Sequence, residues 1–199
     1  MNCFFYRKQN LVFVSLLKCA STYYGKVFVD NGWLAIDYNA INWTVDHVFG
    51  FIMNPNERYL KGLAEDVVDL NTCWTVENLP IFNDSIVFTY HSLPINSYLN
   101  QHMQEIDWIP FDRSVTSEEL VLKLLAKYNL DLQFDHTTYK HQSATEKINI
   151  YNLLKSRINL NNHVVYNGLQ ADNDLYRQVC NNINLNGKTW EEISWLKHQ

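Results

Sequence analysis

The stretch from Leu11 to Thr22 constrains the fold of this chain more than any other part of it. A mostly apolar run, Leu11–Leu17, predicts a buried strand, and Lys18, two small residues and two hydroxyl residues follow it before a helical pattern begins. A strand that leads directly into a helix directs free backbone N–H groups and the positive end of the helix dipole at one point, where phosphate or sulfate binds. The stretch therefore predicts an anion-binding turn, to which Lys18 adds a mobile positive charge.

A second stretch, His47–Gly62, repeats this design. An apolar strand is followed by a proline turn at Pro55 and by a helix that carries Arg58 and Lys61 in its first turns. Arg58 and Lys61 are three residues apart, so they share one face of that helix and are able to hold one anion together. Two such turns in one chain predict a ligand with two separated anionic groups.

Apolar runs and helical patterns alternate along the chain. Strands are predicted at Leu11–Leu17, Trp33–Asp37, Val48–Met53, Ile86–Tyr90 and Ile106–Phe111. Helices are predicted at Tyr23–Asn31, Asn56–Asp69, Ile95–Met103, Ser117–Tyr128, Ala144–Arg157, Asp172–Ile183 and Thr189–His198. This order predicts an α/β fold with a parallel sheet flanked by helices and a helical C-terminal part, in which ligands bind beyond the carboxyl ends of the strands.

Length, charge and cysteine spacing exclude several classes of protein. A chain of 199 residues with 47% apolar residues is expected to form one domain spanning residues 1–199. A net charge of −5 argues against a nucleic-acid partner, and no stretch reaches the length of a membrane span. Four widely spaced cysteines argue against a zinc site and a disulfide framework, so no metal is expected. Without a basic, apolar leader pattern or a membrane span, the sequence predicts a soluble, cytoplasmic protein.

Four separate stretches, in order along the chain, resemble sulfotransferases that use 3′-phosphoadenosine 5′-phosphosulfate (PAPS), especially the carbohydrate-type members. Lys18-Cys-Ala-Ser-Thr22 is similar to the 5′-phosphosulfate loop of that family, and Phe49–Gly62 is similar to its 3′-phosphate segment. His91-Ser-Leu-Pro94, followed by Ile106–Asp112, and the helical stretch Asn167–Tyr176 resemble two later family segments. The resemblance implies a single domain with a P-loop-like parallel sheet.

The resemblance also implies a set of ligand-binding residues. The 5′-phosphosulfate would be bound by Lys18 and by the backbone of Cys19, Ala20, Ser21 and Thr22, and the 3′-phosphate by Asn54, Arg58 and Lys61. Three positions depart from the family: Met53 stands in place of an arginine, Asn54 in place of an aspartate and Lys61 in place of a serine. The implied activity is in-line transfer of a sulfuryl group from PAPS to the hydroxyl of a glycan or small metabolite, with PAP as the product.

Such a transfer needs a general base for the acceptor hydroxyl. The family uses His or Glu from different positions, so the residue is not transferred by resemblance. His91 follows the predicted strand Ile86–Tyr90 and Asp37 ends the predicted strand Trp33–Asp37, so both are expected at the carboxyl edge of the sheet. His47 begins its strand and is expected at the opposite edge. We rank His91 first, with Asp37 and His47 as alternatives.

Each of these residues also has a purely structural interpretation. Lys18 is compatible with a solvated chain end, Ser21 and Thr22 with a helix N-cap, and Arg58 with an ion pair to an acidic residue on its own helix. At the level of function, a catalytically degenerate relative that serves as a nucleotide-binding or protein-interaction module is the alternative. A P-loop nucleotide kinase is disfavoured, because the turn from Leu17 to Thr22 contains no glycine.

Overall fold

The computed structural model describes residues 1–69, 88–111, 115–135, 145–160, 163–182, 184–185 and 188–189. The described residues fall into two compact units. The sheet unit comprises Met1–Met53, Gln101–Lys140 and Tyr176–Gln199, and the helical unit comprises Asn54–Asn100 and His141–Leu175. No helix within these described ranges is both long and apolar enough to cross a membrane.

The sheet unit contains a five-stranded mixed sheet. Its strands are β1 (Asn2–Tyr6), β2 (Leu11–Ser15), β3 (Leu34–Ile36), β4 (His47–Ile52) and β5 (Asp107–Pro110), arranged in the order β3-β1-β2-β4-β5. The pairs β2·β4 and β4·β5 are parallel, whereas β1 is antiparallel to both of its neighbours. The strands β2, β3, β4 and β5 therefore run in one direction and end at one edge of the sheet, as the alternating pattern predicted.

The strand β1 was not predicted, and its presence makes the sheet mixed rather than parallel. It forms a hairpin with β2, in which Tyr6 pairs with Leu11 and the four residues between them make the turn. Asn10 at the end of that turn has a φ of 52°, a left-handed conformation that asparagine tolerates better than most residues. The hairpin signal was therefore present in the sequence, as aromatic residues followed by a polar turn.

Two helices of the sheet unit follow parallel strands. The helix α1 (Ser21–Asp30) begins after β2, and α4 (Val115–Ala126) begins after β5. Between β3 and β4 the chain forms a short 3₁₀ helix, Tyr38–Ala40. Beneath α1 the aromatic rings of Phe13 and Phe28 stack with centroids 4.2 Å apart, and neither residue is exposed. This aromatic core holds α1 on the sheet and so determines where the β2–α1 turn lies.

The helical unit is built around α2 (Pro55–Asp69), which follows β4 in the chain. It also contains the short helix α3 (Asn96–Leu99), α5 (Thr145–Arg157) and the first part of α6 (His163–Asn182). Apolar residues of α2, α5 and α6 form its core: Tyr59, Leu60, Leu63, Ala64, Val67, Ile150, Leu154, Val165 and Leu169. Their spacing on α2 follows the helical period, which the sequence pattern of that segment predicted.

Four predicted elements differ from the structure or lie partly outside the described residues. The predicted helix Ile95–Met103 is α3 followed by a 3₁₀ segment, Asn100–Gln104, and α6 begins nine residues before the predicted Asp172–Ile183. Of the predicted strand Ile86–Tyr90, residues 86 and 87 lie outside the described residues and residues 88–90 form no strand. Most of the predicted helix Thr189–His198 also lies outside them, and Lys188–Thr189 pair with Asn184–Leu185 as a two-stranded ribbon.

Candidate functional site

The β2–α1 turn is the candidate anion site of the sheet unit. It leaves the carboxyl end of β2 at Ser15 and enters α1 at Ser21. Lys18 and Ala20 have φ values of 72° and 52°, both in the left-handed region, and Cys19 between them is fully buried. For residues other than glycine, this conformation costs about 1–2 kcal/mol of conformational free energy. Two such residues in three positions indicate that the turn is held in a shape that the local sequence does not favour.

The N-cap residue of α1 is Ala20, whose side chain has no hydrogen-bond acceptor, so it makes no capping hydrogen bond to the first-turn amides. Ser21 and Thr22 lie inside the first helical turn, so the N-cap interpretation of these two residues does not apply. The first-turn amides are thus directed out of the helix end together with its positive dipole. Turns that mix left-handed and other conformations in this way present N–H donors to anions. The N–H of Cys19 is not one of them, because it donates a hydrogen bond of 3.2 Å to the carbonyl of Leu16, contrary to the predicted role of the Cys19 backbone.

Asp37 follows β3 and lies at the same edge of the sheet as the β2–α1 turn. Its carboxylate accepts a hydrogen bond of 2.8 Å from the backbone N–H of Asn39 and caps the short helix that begins at Tyr38. The strand β1 separates β3 from β2, which corresponds to about 9–10 Å between the two strand ends. Asp37 therefore has a local capping role and lies two strands from the turn.

Glu118 is an acidic residue of this edge that the sequence analysis missed. It lies in the first turn of α4, only 7% of it is exposed, and its Oε1 accepts a hydrogen bond of 3.3 Å from the hydroxyl of Tyr24 on α1. The neighbouring Ser117 donates a hydrogen bond of 3.0 Å to the carbonyl of Pro110 at the end of β5. The only sequence signal for Glu118 was an acidic residue in a helix first turn, which is common on exposed helices as well.

His47 lies at the amino edge of the sheet, as its position at the start of a strand predicted. Its Nε2 is 2.9 Å from Oδ2 of Asp107, the first residue of β5, and its ring lies 5.5 Å from that of Tyr128. The carboxyl ends of the strands, where the β2–α1 turn is found, form the opposite edge. The structure thus separates His47 from that turn within the sheet unit.

Arg58 is buried in the helical unit, with no exposed side-chain surface. Its Nη2 donates a hydrogen bond to the carbonyl of Leu93 and lies 3.6 Å from Oδ2 of Asp172, whose side chain is equally buried. Its Nε and Nη1 have no hydrogen-bond partner among the described residues. The ion pair joins α2 to α6 rather than to an acidic residue of α2 itself. Arg58 therefore presents no guanidinium surface to a phosphate in this structure.

Asp172 completes this buried contact. Its Oδ2 accepts a hydrogen bond of 2.6 Å from the N–H of Ile95, and its Oδ1 accepts one of 3.3 Å from the N–H of Asn96. Burial raises the pKa of the Asp172 carboxyl, although these two hydrogen bonds and the charge of Arg58 oppose the shift. The contact fixes the start of the short helix α3 against α6.

The other two residues predicted to bind the 3′-phosphate also have partners in the helical unit. The side chain of Asn54 caps α2, because its Oδ1 accepts hydrogen bonds of 3.0 and 3.3 Å from the N–H groups of Asn56 and Glu57. The ammonium of Lys61 lies 3.6 Å from Oε2 of Glu57 and 6.0 Å from the centre of the Tyr151 ring. Of Arg58 and Lys61, which were predicted to hold one anion together, only Lys61 has a partly exposed side chain, at 28%.

His91 lies in a turn of the helical unit, packed against α2. Its Nδ1 is hydrogen-bonded to Oδ1 of Asp66, and its backbone N–H donates to Oδ2 of the same carboxylate over 3.2 Å. Asp66 is only 2% exposed, whereas the His91 ring is 21% exposed. A partly exposed imidazole oriented by a buried carboxylate is the arrangement of a general base. Because residues 88–90 form no strand, the predicted strand end does not account for the position of His91.

Gly62 explains how this turn approaches α2 so closely. A Cβ atom at Gly62 would lie 2.5 Å from the carbonyl carbon of His91 and 2.7 Å from the Cα of Ser92. Gly62 and Asp66 are four residues apart and so share one face of α2. The glycine leaves room for the backbone of the turn, and the aspartate one helical turn later is hydrogen-bonded to the ring Nδ1 and the backbone N–H of His91. The spacing Gly-x-x-x-Asp was the signal in the sequence, but glycine and aspartate are too common for it to be specific.

A separate cavity of about 220 Å³ lies between α1 and the segment 131–135 of the sheet unit. It is lined in part by Tyr23, Lys26, Asp30 and Asp135. Burial, with the charges of Glu118 and Asp135, raises the pKa of Tyr23 to about 12, so its hydroxyl remains protonated at neutral pH. None of the residues predicted to bind a ligand lines this cavity. Within the part of the chain that the structure describes, no three His, Cys, Asp or Glu side chains are grouped as metal ligands.

Comparison of the chain with models of known protein families, with curated proteins and with solved structures finds no match.

Proposed function

We propose that the protein is a PAPS-dependent sulfotransferase that binds the 5′-phosphosulfate at the β2–α1 turn and transfers the sulfuryl group to the hydroxyl of a glycan or small metabolite. The observation that supports this proposal best is the turn itself. Two left-handed, non-glycine residues lead into a helix whose N-cap residue, Ala20, has no side-chain acceptor. This is the local structure expected where a turn is shaped to bind an anion rather than to end a strand.

The residues of the sheet unit fit the 5′-phosphosulfate. The N–H groups at the start of α1 and the dipole of that helix supply donors and partial positive charge, and Lys18 supplies a full charge at the same turn. The turn follows the carboxyl end of β2, the edge at which open α/β sheets bind nucleotides. In this proposal the sheet unit serves as a P-loop-like fold in which Lys18 and Ala20 adopt the left-handed conformation that glycines usually provide.

The residues of the helical unit fit the 3′-phosphate less well. Arg58 is buried, where it forms an ion pair with Asp172 and donates a hydrogen bond to the carbonyl of Leu93. It is therefore unsuited to the phosphate-binding role that the resemblance implies. Lys61 is a point charge without the bidentate geometry of arginine, and it is already paired with Glu57. The proposal therefore assigns donor binding chiefly to the β2–α1 turn.

The chemistry makes limited demands on the protein. When bound, PAPS supplies a sulfuryl group, whose bond to the 5′-phosphate breaks as the bond to the acceptor oxygen forms, with the electron pair leaving on PAP. The chain has to hold the leaving phosphate, which the amides of the turn and Lys18 are suited to do. It also has to accept the proton of the acceptor hydroxyl, and Nε2 of His91 is suited to this because Nδ1 is held by Asp66.

A second candidate function is a nucleotide-binding or protein-interaction module without catalytic activity. The specific observation that favours it is the buried Arg58, together with Met53 in place of the family arginine. A module of this kind would retain the β2–α1 turn and bind PAP, but it would release no sulfuryl group from PAPS.

Thermal unfolding with and without PAP tests donor binding. At a PAP concentration of about 100 times its dissociation constant, the midpoint should rise by about 5–11 °C, which corresponds to about 2.7 kcal/mol in a chain of this size. The variant Lys18→Ala should lose most of this rise. The variant Lys8→Ala is the matched control, because it removes the same charge from an exposed residue at the other end of β2 and should keep the full rise.

Two results would contradict the proposal. One is a midpoint that rises with ATP and magnesium but not with PAP, which would favour a nucleotide kinase. The other is an equal response to PAP in Lys18→Ala and Lys8→Ala. If PAP binds at the turn but labelled PAPS loses no sulfuryl group to any of a panel of sugar and phenol acceptors, the non-catalytic module is the better description.

A further inference from the structure

We infer that Asp66 is a positioning residue that makes Nε2 of His91 the basic nitrogen of the helical unit. The inference extends the proposed function, in which His91 accepts the proton of the acceptor hydroxyl, but its first test does not depend on that function. No feature of the sequence had singled out Asp66 for this role.

The carboxylate of Asp66 makes two hydrogen bonds with His91. One oxygen is hydrogen-bonded to Nδ1 of the ring and the other accepts a hydrogen bond of 3.2 Å from the backbone N–H. Both atoms of His91 are therefore fixed relative to α2. Since Asp66 is almost fully buried, water competes little for its oxygens, and the contact is stronger than the same pair would be on the surface.

This contact selects one tautomer of the neutral imidazole. A carboxylate accepts hydrogen bonds and donates none, so Nδ1 must carry the proton. The lone pair is then on Nε2, which makes no hydrogen bond within the described residues and lies 4.0 Å from Oε1 of Glu65. The carboxylate of Glu65 is in turn 3.8 Å from the ammonium of Lys147, measured from Oε2 to Nζ.

Among the described residues, His47 and His102 also face carboxylates, but they differ from His91. His47 contacts Asp107 through Nε2, whereas His91 contacts its carboxylate through Nδ1, and the side chain of Asp107 is 61% exposed. His102 contacts Glu105 through Nδ1, but that carboxylate is 46% exposed and lies three residues away on the same short segment. Among the described histidines, His91 combines a contact through Nδ1 with a buried carboxylate. His47 and His102 therefore serve as internal references for an experiment on His91.

Nitrogen-15 NMR of the imidazole groups in the full chain tests this inference without any ligand. In spectra recorded at a pH at which the ring is neutral, His91 should show the Nδ1–H tautomer in the wild type. The substitution Asp66→Asn should shift it toward the Nε2–H tautomer, because an amide is able to donate to Nδ1. Glu65→Gln is the matched control: it neutralises the adjacent carboxylate of α2, which makes no hydrogen bond to the ring, and should leave the tautomer unchanged.

A chemical reaction gives a second measurement that does not depend on NMR. Diethyl pyrocarbonate acylates the unprotonated nitrogen of imidazole, and peptide mapping separates the rates at His91, His47 and His102. The rate at His91 should fall several-fold in Asp66→Asn and remain unchanged in Glu65→Gln, with His47 and His102 unaffected in both. An unchanged backbone amide spectrum in Asp66→Asn would show that the variant is folded. An unfolded Asp66→Asn would be replaced by Asp66→Glu, which should retain the tautomer.

The inference is overturned if His91 carries its proton on Nε2 in the wild type, or if its tautomer and acylation rate are the same in Asp66→Asn as in the wild type. These outcomes are independent of whether PAP binds at the β2–α1 turn. If sulfuryl transfer is established, His91→Asn should lower kcat by about 10²–10⁴-fold, the usual contribution of a general base. A larger loss in Glu118→Gln than in His91→Asn would transfer the role of base to the sheet unit and leave Asp66 with a structural role only.

Discussion

The substitution Gly62→Ala tests the packing that positions His91. In an ordinary exposed helix this change stabilises the protein by about 1 kcal/mol, because alanine favours the helix and glycine does not. Here the new methyl group would lie 2.5 Å from the carbonyl carbon of His91 and 2.7 Å from the Cα of Ser92. Both are backbone atoms, so relief requires the turn itself to move away from α2.

The expected net effect follows from these opposing terms. Overpacking in a fixed environment costs about 1–3 kcal/mol, and backbone obstacles place Gly62 near the upper end of that range. After subtraction of the helix gain, Gly62→Ala should lower the free energy of unfolding by about 2 kcal/mol. For a chain of this length the midpoint of thermal unfolding should fall by about 4–8 °C.

Gly168→Ala is the matched control on another helix of the same unit. Its Cβ would lie 2.5 Å from Cζ of Phe88, which is the far end of a side chain rather than backbone. The helix gain is the same, so the loss should be smaller, about 1 kcal/mol or less. Denaturant titration of both variants gives the difference directly. A Gly62→Ala variant that is as stable as the wild type, or more stable than Gly168→Ala, would refute this account of the turn.

Two further predictions concern charged contacts of the helical unit. Asp172→Asn should lower the free energy of unfolding by about 3–5 kcal/mol, because it leaves the Arg58 guanidinium buried without its counter-charge. The double variant Arg58→Met, Asp172→Asn should recover part of this loss in denaturant titrations, and no recovery would argue against the ion pair. Burial raises the pKa of Glu57, but a hydrogen bond from Tyr151 and the charges of Lys61 and Lys155 together outweigh it, so the pKa is lowered overall. Its contribution to stability is then present above its ordinary value of 4.5 and lost as the pH falls through the lowered pKa. Tyr151→Phe should therefore lose less stability than the wild type between about pH 7 and about pH 3, and an equal loss would contradict this.

The local part of the site was predictable, and the reason is that a strand, a turn and a helix are encoded by adjacent residues. The segment from Leu11 to Asp30 contains a strand, a turn and a helix close to the predicted bounds. The left-handed conformation of Lys18 and Ala20 was not predictable, because neither residue type favours it and only the packing of α1 on the sheet imposes it.

The partners of the polar side chains were predicted less well. Arg58 was expected either to meet a phosphate or to pair with an acidic residue of its own helix, but its partner is Asp172 on α6. His91 was ranked first as a base because it was expected to follow a strand, but residues 88–90 form no strand. Its ring is held instead by a hydrogen bond to Asp66 on α2. In both cases the decisive contact joins residues far apart in the chain.

The amino-acid sequence by itself therefore determined the alternation of elements, the shared direction of β2, β4 and β5, and the position of the β2–α1 turn at their carboxyl ends. These follow from hydrophobic periodicity and turn chemistry, which act over a few residues. Only the tertiary structure decided which charges are buried and which nitrogen of His91 is held, because a buried polar group pairs with whichever element packs against it. That choice is made by close packing between distant segments, and no pattern of neighbouring residues records it.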